Sequence, residues 1–232
     1  MNTPKEAKRI LIYGDSNTFG WHEREDGVIV RHPLQSIWPQ RLARALGDGV
    51  EVEVDGLSGR TTMYDRPEEP GNGTGDMPGT VLNGATLLPA ALSRTMPLDL
   101  VIIMLGTNDF NRQLRKTAPE VAEGIGHLVD IVQGCQWRSL TPYRTPKVLV
   151  VCPVPKKLAG TKNEQFFPGA DAPSAALFGL LKPLIKSKGI QLFNAGSVID
   201  RAHDIDGIHF SLDDHRVLAD ALIPIVKQNL NL

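Results

Sequence analysis

The stretch Ile10-Leu-Ile-Tyr-Gly-Asp-Ser-Asn-Thr-Phe-Gly20 decides how this chain is read. Four apolar, β-favouring residues stop abruptly at Gly14-Asp15-Ser16. A buried strand that ends this way delivers Ser16 into the turn before a helix. That turn lies at the C-terminal edge of a sheet, where open α/β proteins bind ligands. The N–H groups of the turn face the same edge and favour negative charge. A serine in this position is also a common helix N-cap. A capping hydroxyl points at its own backbone, so the two roles are only partly compatible.

Working outward, residues 9–13, 50–54, 100–105 and 147–152 have strand character, and 190–193 form a weaker fifth run. Helical spacing appears over 37–46, 87–94, 119–132, 174–186 and 212–228. Alternating strands and helices give βαβ units and a parallel sheet with helices on both faces. Near-continuous apolar strands fit a sheet buried on both sides. The expectation is a single domain over 1–232 with about five parallel strands and a flexible tail over 1–8. Pro39 and Pro119 fall where helix starts tolerate them. Pro89 and Pro183 soften their helix boundaries, and Pro224 is expected to kink or split the last helix. The Pro- and Gly-rich stretches 64–83 and 154–173 resist regular structure; loops of that length are usually lids, partner contacts or disordered.

Lys and Arg number 25 against 26 Asp and Glu, a formal net charge of −1. No basic excess points to nucleic acid or to a membrane surface. Cys135 and Cys152 have no metal-type spacing and make a disulfide framework improbable. The apolar run after the polar N-terminus is too short for a signal or membrane segment. A soluble, cytoplasmic protein is expected.

A serine hydroxyl needs a general base to attack a carbonyl. Asp206-Gly-Ile-His209 supplies an imidazole with a carboxylate three residues earlier, able to fix its tautomer; a surface turn before the helix starting at Leu212 is an equal reading of the pair alone. Gly106-Thr-Asn-Asp109 follows the third strand and places the Asn108 amide at the same edge, where it can stabilise an oxyanion. An Asx turn is the plainer reading. Asp55-Gly-Leu-Ser-Gly59 follows the second strand and offers an unobstructed Gly59 N–H, or merely a glycine-rich turn. Gly71-x-Gly73-x-Gly75 lacks the dinucleotide-binding spacing. The group His203, Asp204, Asp206, Asp213, Asp214 and His215 is better explained as a solvated loop and helix start than as a metal site. His22, His32 and His127 read as surface or packing residues.

Four such turns in this order resemble blocks I, II, III and V of the SGNH (GDSL-type) hydrolase superfamily. The strings Gly56-Leu-Ser-Gly-Arg-Thr-Thr62 and Leu98-Asp-Leu-Val-Ile-Ile-Met-Leu-Gly-Thr-Asn-Asp109 resemble its bacterial arylesterase/acyltransferase subgroup. The resemblance implies a flavodoxin-like, three-layer α/β/α fold. It implies Ser16 as nucleophile, His209 as base and Asp206 as its orienting acid, with an oxyanion hole from Ser16, Gly59 and Asn108. It implies small aryl or short-chain ester substrates, acyl transfer to alcohols or peroxide, no metal or organic cofactor, and a homo-oligomer. Trp21, Asn17 and Phe19, near the serine, are expected in the substrate pocket. Two departures stand out: Asn17 where the family has Leu, and a block II without the Asn it usually carries before its Gly, the polar residue nearby being Asp55. The alternatives are a carbohydrate acetyl esterase and, from a different class, a flavodoxin-like module binding phosphate or flavin without chemistry.

Overall fold

The structure is a computed structural model that describes residues 7–67, 77–135 and 143–232. Its elements run β1 (Lys8–Gly14), α1 (Ser16–Phe19), β2 (Trp21–Glu23), β3 (Ile29–Arg31), α2 (Trp38–Leu46), β4 (Val50–Gly56), α3 (Gly84–Thr95), β5 (Leu100–Met104), α4 (Ala118–Gly134), β6 (Lys147–Cys152), α5 (Asp171–Ser187), β7 (Gln191–Asn194) and α6 (Leu212–Leu230). Five strands form one parallel sheet in the order β4-β1-β5-β6-β7. The chain winds outward in one direction from β1 to β4, then returns and winds the other way from β5. The reversal leaves a crevice between the C-terminal ends of β1 and β5, the position where doubly wound sheets bind ligands.

Alternation along each strand sorts its side chains into two layers. Leu11, Tyr13, Val101 and Ile103 pack against α3, α4 and α5 through Leu88, Leu92, Val121, Ile125, Leu177 and Leu181. Ile10, Ile12, Leu100 and Ile102 pack against α2 and α6 through Trp38, Leu42, Leu218 and Leu222. Each fully buried Leu or Ile contributes about 1.5–3 kcal/mol. Central β5 is therefore apolar on both faces and wholly buried. Edge strand β4 instead alternates, with Glu51 and Glu53 turned to solvent.

Several details depart from the sequence reading. Lys8 is not part of a tail; it begins β1 and pairs with Val50. Residues 1–6 lie outside the described residues, as do 68–76 of the loop 64–83. Helix α3 starts at Gly84 because the Asn83 side chain accepts from Thr86 N–H at 3.2 Å and caps it. Pro89, Pro183 and Pro224 all sit inside helices with their rings exposed. Helix α6 is not split at Pro224, since Leu218, Leu222 and Val226 hold both sides of it in the core. The β2–β3 hairpin was not foreseen. Its signal is Asp26-Gly27, with Gly27 at φ +79°, a turn pair flanked by strand formers. No helix among the described residues is long and apolar enough to cross a membrane.

Candidate active site

Strand β1 ends at Gly14, where a Cβ would lie 2.1 Å from Thr18 Oγ1 and 3.2 Å from Met104 O; only glycine lets the chain turn this close to β5. Asp15, not Ser16, caps α1, its carboxylate accepting from Asn17 N–H at 2.9 Å. That leaves the Ser16 hydroxyl free of the capping role. It lies 3.0 Å from His209 Nε2.

His209 sits on the loop before α6. Its Nδ1 meets Asp206 Oδ2 at 2.5 Å. The other Asp206 oxygen accepts from the N–H groups of Ile208 and His209 at 2.7 and 2.8 Å. Burial alone would raise the Asp206 pKa. The hydrogen bond and charge of His209, with the two backbone donors, outweigh it and bring the carboxyl down to about 2. Asp206 is thus an ionised acceptor that selects the tautomer with hydrogen on Nδ1, leaving Nε2 to accept from Ser16. Ser16 and Asp206 are buried and His209 is partly exposed, so solvent reaches the relay chiefly at the imidazole.

The opposite wall carries Gly59 and Asn108. Gly59 has φ +77°. Among the described residues neither the Ser16 nor the Gly59 N–H donates to a protein acceptor. Asn108 Nδ2 donates once, to Arg60 O at 3.0 Å, which orients its amide and leaves its second hydrogen available. Arg60 is buried. It donates to Gly14 O at 3.0 Å, to Asp55 O at 2.6 Å and to Asp55 Oδ1 at 2.7 Å, and stacks 4.0 Å over the Tyr13 ring. One guanidinium therefore ties the Gly59 turn to the end of β1. Buried Asp109 accepts from the N–H and hydroxyl of Thr62, joining the β4 and β5 turns; burial raises its pKa to about 6.

Lys156 is buried, with its ammonium 4.7 Å from the Phe167 ring centroid. Burial lowers its pKa to about 8, opposed by the charges of Asp15, Asp206 and Asp171. Burial likewise raises the Asp15 pKa, opposed by the Asn17 N–H and by Lys156. Neither residue's place in this network was visible in the sequence.

Ser16, Gly59, Asn108, Asp206 and His209 open into one cavity of about 350 Å³. Trp21 lines it, its ring centroid 6.2 Å from that of His209. Asn17 and Phe19 do not. Asn17 is buried and bonds Ile208 O and Phe210 N–H, bracing the His209 loop instead of facing substrate. Phe19 stacks under the Arg31 guanidinium at 3.9 Å. The sequence reading missed Ile29, from the hairpin, and Arg112, from the turn after Asn108. Arg66 from one long loop and Asn163, Phe166 and Phe167 from the other also reach the cavity.

No group of three or more metal-ligating side chains is present among the described residues. In the His/Asp cluster, Asp214 forms the capping box of α6 with Ser211 and also binds His203 Nδ1 at 2.7 Å. His22 stacks on His32 at 3.9 Å, and His215 is buried behind them with its pKa lowered to about 3 by burial.

A flavodoxin-like sheet that gathers serine, imidazole and carboxylate at its switch point is an α/β fold like that of the SGNH hydrolases. The chain belongs to the GDSL-like lipase/acylhydrolase family, which it matches over residues 12–216. It is similar to the aryl esterase of M. smegmatis, at 39% identity and a TM-score of 0.86 over 96% of this chain and 99% of that one. It is similar as well to Est24, a carbohydrate acetylesterase from Sinorhizobium meliloti, at 38% identity and a TM-score of 0.85 over 95% of this chain and 99% of that one. The lipase/acylhydrolase from Enterococcus faecalis, 18% identical with a TM-score of 0.67 over 95% and 96% of the two chains, shares the fold. Comparison with curated proteins by sequence gave no match. The chain is accordingly a carboxylic ester hydrolase acting on small-molecule esters, and the reading as a binding module without chemistry is set aside.

Proposed function

We propose that the protein is a serine esterase for small aryl or short-chain esters, working through an acyl-enzyme on Ser16. The observation that carries this reading is the Ser16–His209–Asp206 relay, with contacts of 3.0 and 2.5 Å, at one end of a cavity walled by Trp21, Phe166 and Phe167. His209 Nε2 takes the Ser16 proton as Oγ attacks the ester carbonyl. Donors from Ser16 N–H, Gly59 N–H and Asn108 Nδ2 hold the tetrahedral oxyanion; removing one such donor raises a barrier by about 3–4 kcal/mol in comparable sites. His209 then protonates the leaving alcohol or phenol. Water, activated by the same imidazole, or an acceptor alcohol or peroxide takes the acyl group and restores Ser16. None of these steps calls for a metal or organic cofactor.

The similarity to Est24 favours a second reading, deacetylation of acetylated sugars. Rates on p-nitrophenyl acetate and on an acetylated sugar, for the wild type and for Ser16→Ala, separate the two. The expected result is rapid p-nitrophenyl acetate hydrolysis that falls at least about a thousandfold in Ser16→Ala. Faster turnover of the acetylated sugar selects the second reading. A Ser16→Ala rate equal to wild type overturns both.

A further inference from the structure

Resting on that reading, the geometry points to a more definite substrate class: an ester that bears a carboxylate, held by Arg112 within the same cavity. The charged groups along this cavity wall are nearly all accounted for. Glu23 is paired with Lys162 Nζ at 2.7 Å. Asp206 is held by His209 and two backbone donors. The Arg66 guanidinium is bonded to Gln113 Oε1 at 3.1 and 2.6 Å. Arg112 is the exception. Its guanidinium lies 5.7 Å from the Phe166 ring centroid and, among the described residues, has neither a hydrogen-bond acceptor nor an ion-pair partner.

The segment beneath that guanidinium is held by hydrogen bonds. Arg112 N–H donates to Phe166 O at 2.8 Å, and Arg112 O accepts from Arg115 Nε at 3.1 Å. Buried Asn111 accepts from the N–H groups of Gln113 and Leu114 at 3.0 and 3.1 Å. Arg112, an exposed residue that lines the cavity, therefore projects from a hydrogen-bonded turn that begins at Asn108, the candidate oxyanion donor. A guanidinium presents paired N–H donors that match a carboxylate, and the 5.7 Å contact with the Phe166 ring occupies none of them. The aromatic walls take the apolar body of an ester, and Arg112 takes the anion.

The test uses two matched pairs of esters. One pair is 4-acetoxybenzoate and its methyl ester, with the charge on the leaving group. The other is mono-p-nitrophenyl glutarate and p-nitrophenyl pentanoate, with the charge on the acyl part. For each pair the kcat/KM ratio of anionic to neutral ester is measured in the wild type and in Arg112→Gln. Dividing the two ratios cancels intrinsic differences in leaving group. In at least one pair the quotient is expected to reach about ten, the order of one charge-assisted hydrogen bond. A quotient above about three in either pair supports the inference, and lower values in both overturn it.

If Arg112→Gln does not fold, salt titration of the wild type serves instead. The preference for the anionic ester should fall between roughly 0.05 and 0.5 M sodium chloride, whereas a flat ratio overturns the inference. Neutral-ester hydrolysis that depends on Ser16, with quotients near one, sinks this inference alone. Hydrolysis that survives Ser16→Ala sinks the underlying reading.

Discussion

The carboxamide of Asn17 clasps the loop on which His209 sits: its Oδ1 accepts from Phe210 N–H at 3.0 Å, and its Nδ2 donates to Ile208 O at 3.3 Å. One side chain beside Ser16 thus bonds to the residues on either side of His209. The separation between hydroxyl and imidazole is fixed by this clasp as well as by the relay itself. Leucine, usual in the family at this position, can make neither bond.

Asn17→Ala leaves the buried Phe210 N–H without its acceptor and frees the loop. The expected loss of stability is about 1–3 kcal/mol. On p-nitrophenyl acetate, kcat should fall about tenfold while KM moves little, since Asn17 is outside the cavity. Urea unfolding with steady-state kinetics reads both effects. A kcat within twofold of wild type would show that the loop is held without the clasp.

Asp206 gives a pH dependence whose sign follows from its pKa. The folded value, about 2, lies below the ordinary 3.8. The unfolded chain therefore binds more protons between these values, and stability from Asp206 is present above pH 4 and lost as pH falls towards 2. A shift of this size corresponds to about 2 kcal/mol. Asp206→Asn should be less stable than wild type by roughly that amount at pH 7, with the gap closing below pH 4. Its kcat should drop by about 10⁴, because an amide does not enforce the tautomer with hydrogen on Nδ1. Denaturant unfolding at several pH values checks the first point. A gap that stays constant down to pH 2 would refute the linkage.

Gly56 tests how the sheet positions the serine. A Cβ there would lie 2.6 Å from Phe19 N and 3.0 Å from Phe19 Cα, both backbone atoms that cannot swing aside. Gly56→Ala must push α1, and Ser16 with it, away from β4. The cost should be about 1–3 kcal/mol in stability, with a larger fractional loss in kcat than in thermal midpoint. By contrast, Gly160→Ala meets no atom within 4 Å, although its φ of +77° carries a backbone penalty. Equal kcat in Gly56→Ala and wild type would mean that α1 is not seated by this contact.

Much of this was legible in the chain because it is local. An apolar run closed by Gly14-Asp15-Ser16 reads as strand, turn and helix, since side-chain period and glycine's freedom act over a few residues. Asp206 and His209 are three residues apart, so one turn brings them together. The boundaries that shifted were set by packing or capping: Asn83 started α3 early, and the core around Leu222 carried α6 past Pro224. Asn17 and Phe19 were placed in the pocket on closeness to Ser16 alone. A helix turns successive side chains about 100° apart, and only Ser16 of the three faces the crevice.

By itself, then, the sequence determined the alternation of elements, the four polar turns at strand ends and the residue types they carry. Hydrophobic period and turn chemistry need no distant partner. Tertiary structure decided which of those turns meet. The strand order β4-β1-β5 puts Ser16, Gly59 and Asn108 around one crevice, and the return of the chain into α6 brings His209 across from the other end of the sequence. It also decided that Asp15 is the cap, that Arg60 is an internal brace and that Arg112 faces the cavity. Each of these depends on layers closing over one another, so that residues far apart in the chain share one desolvated space.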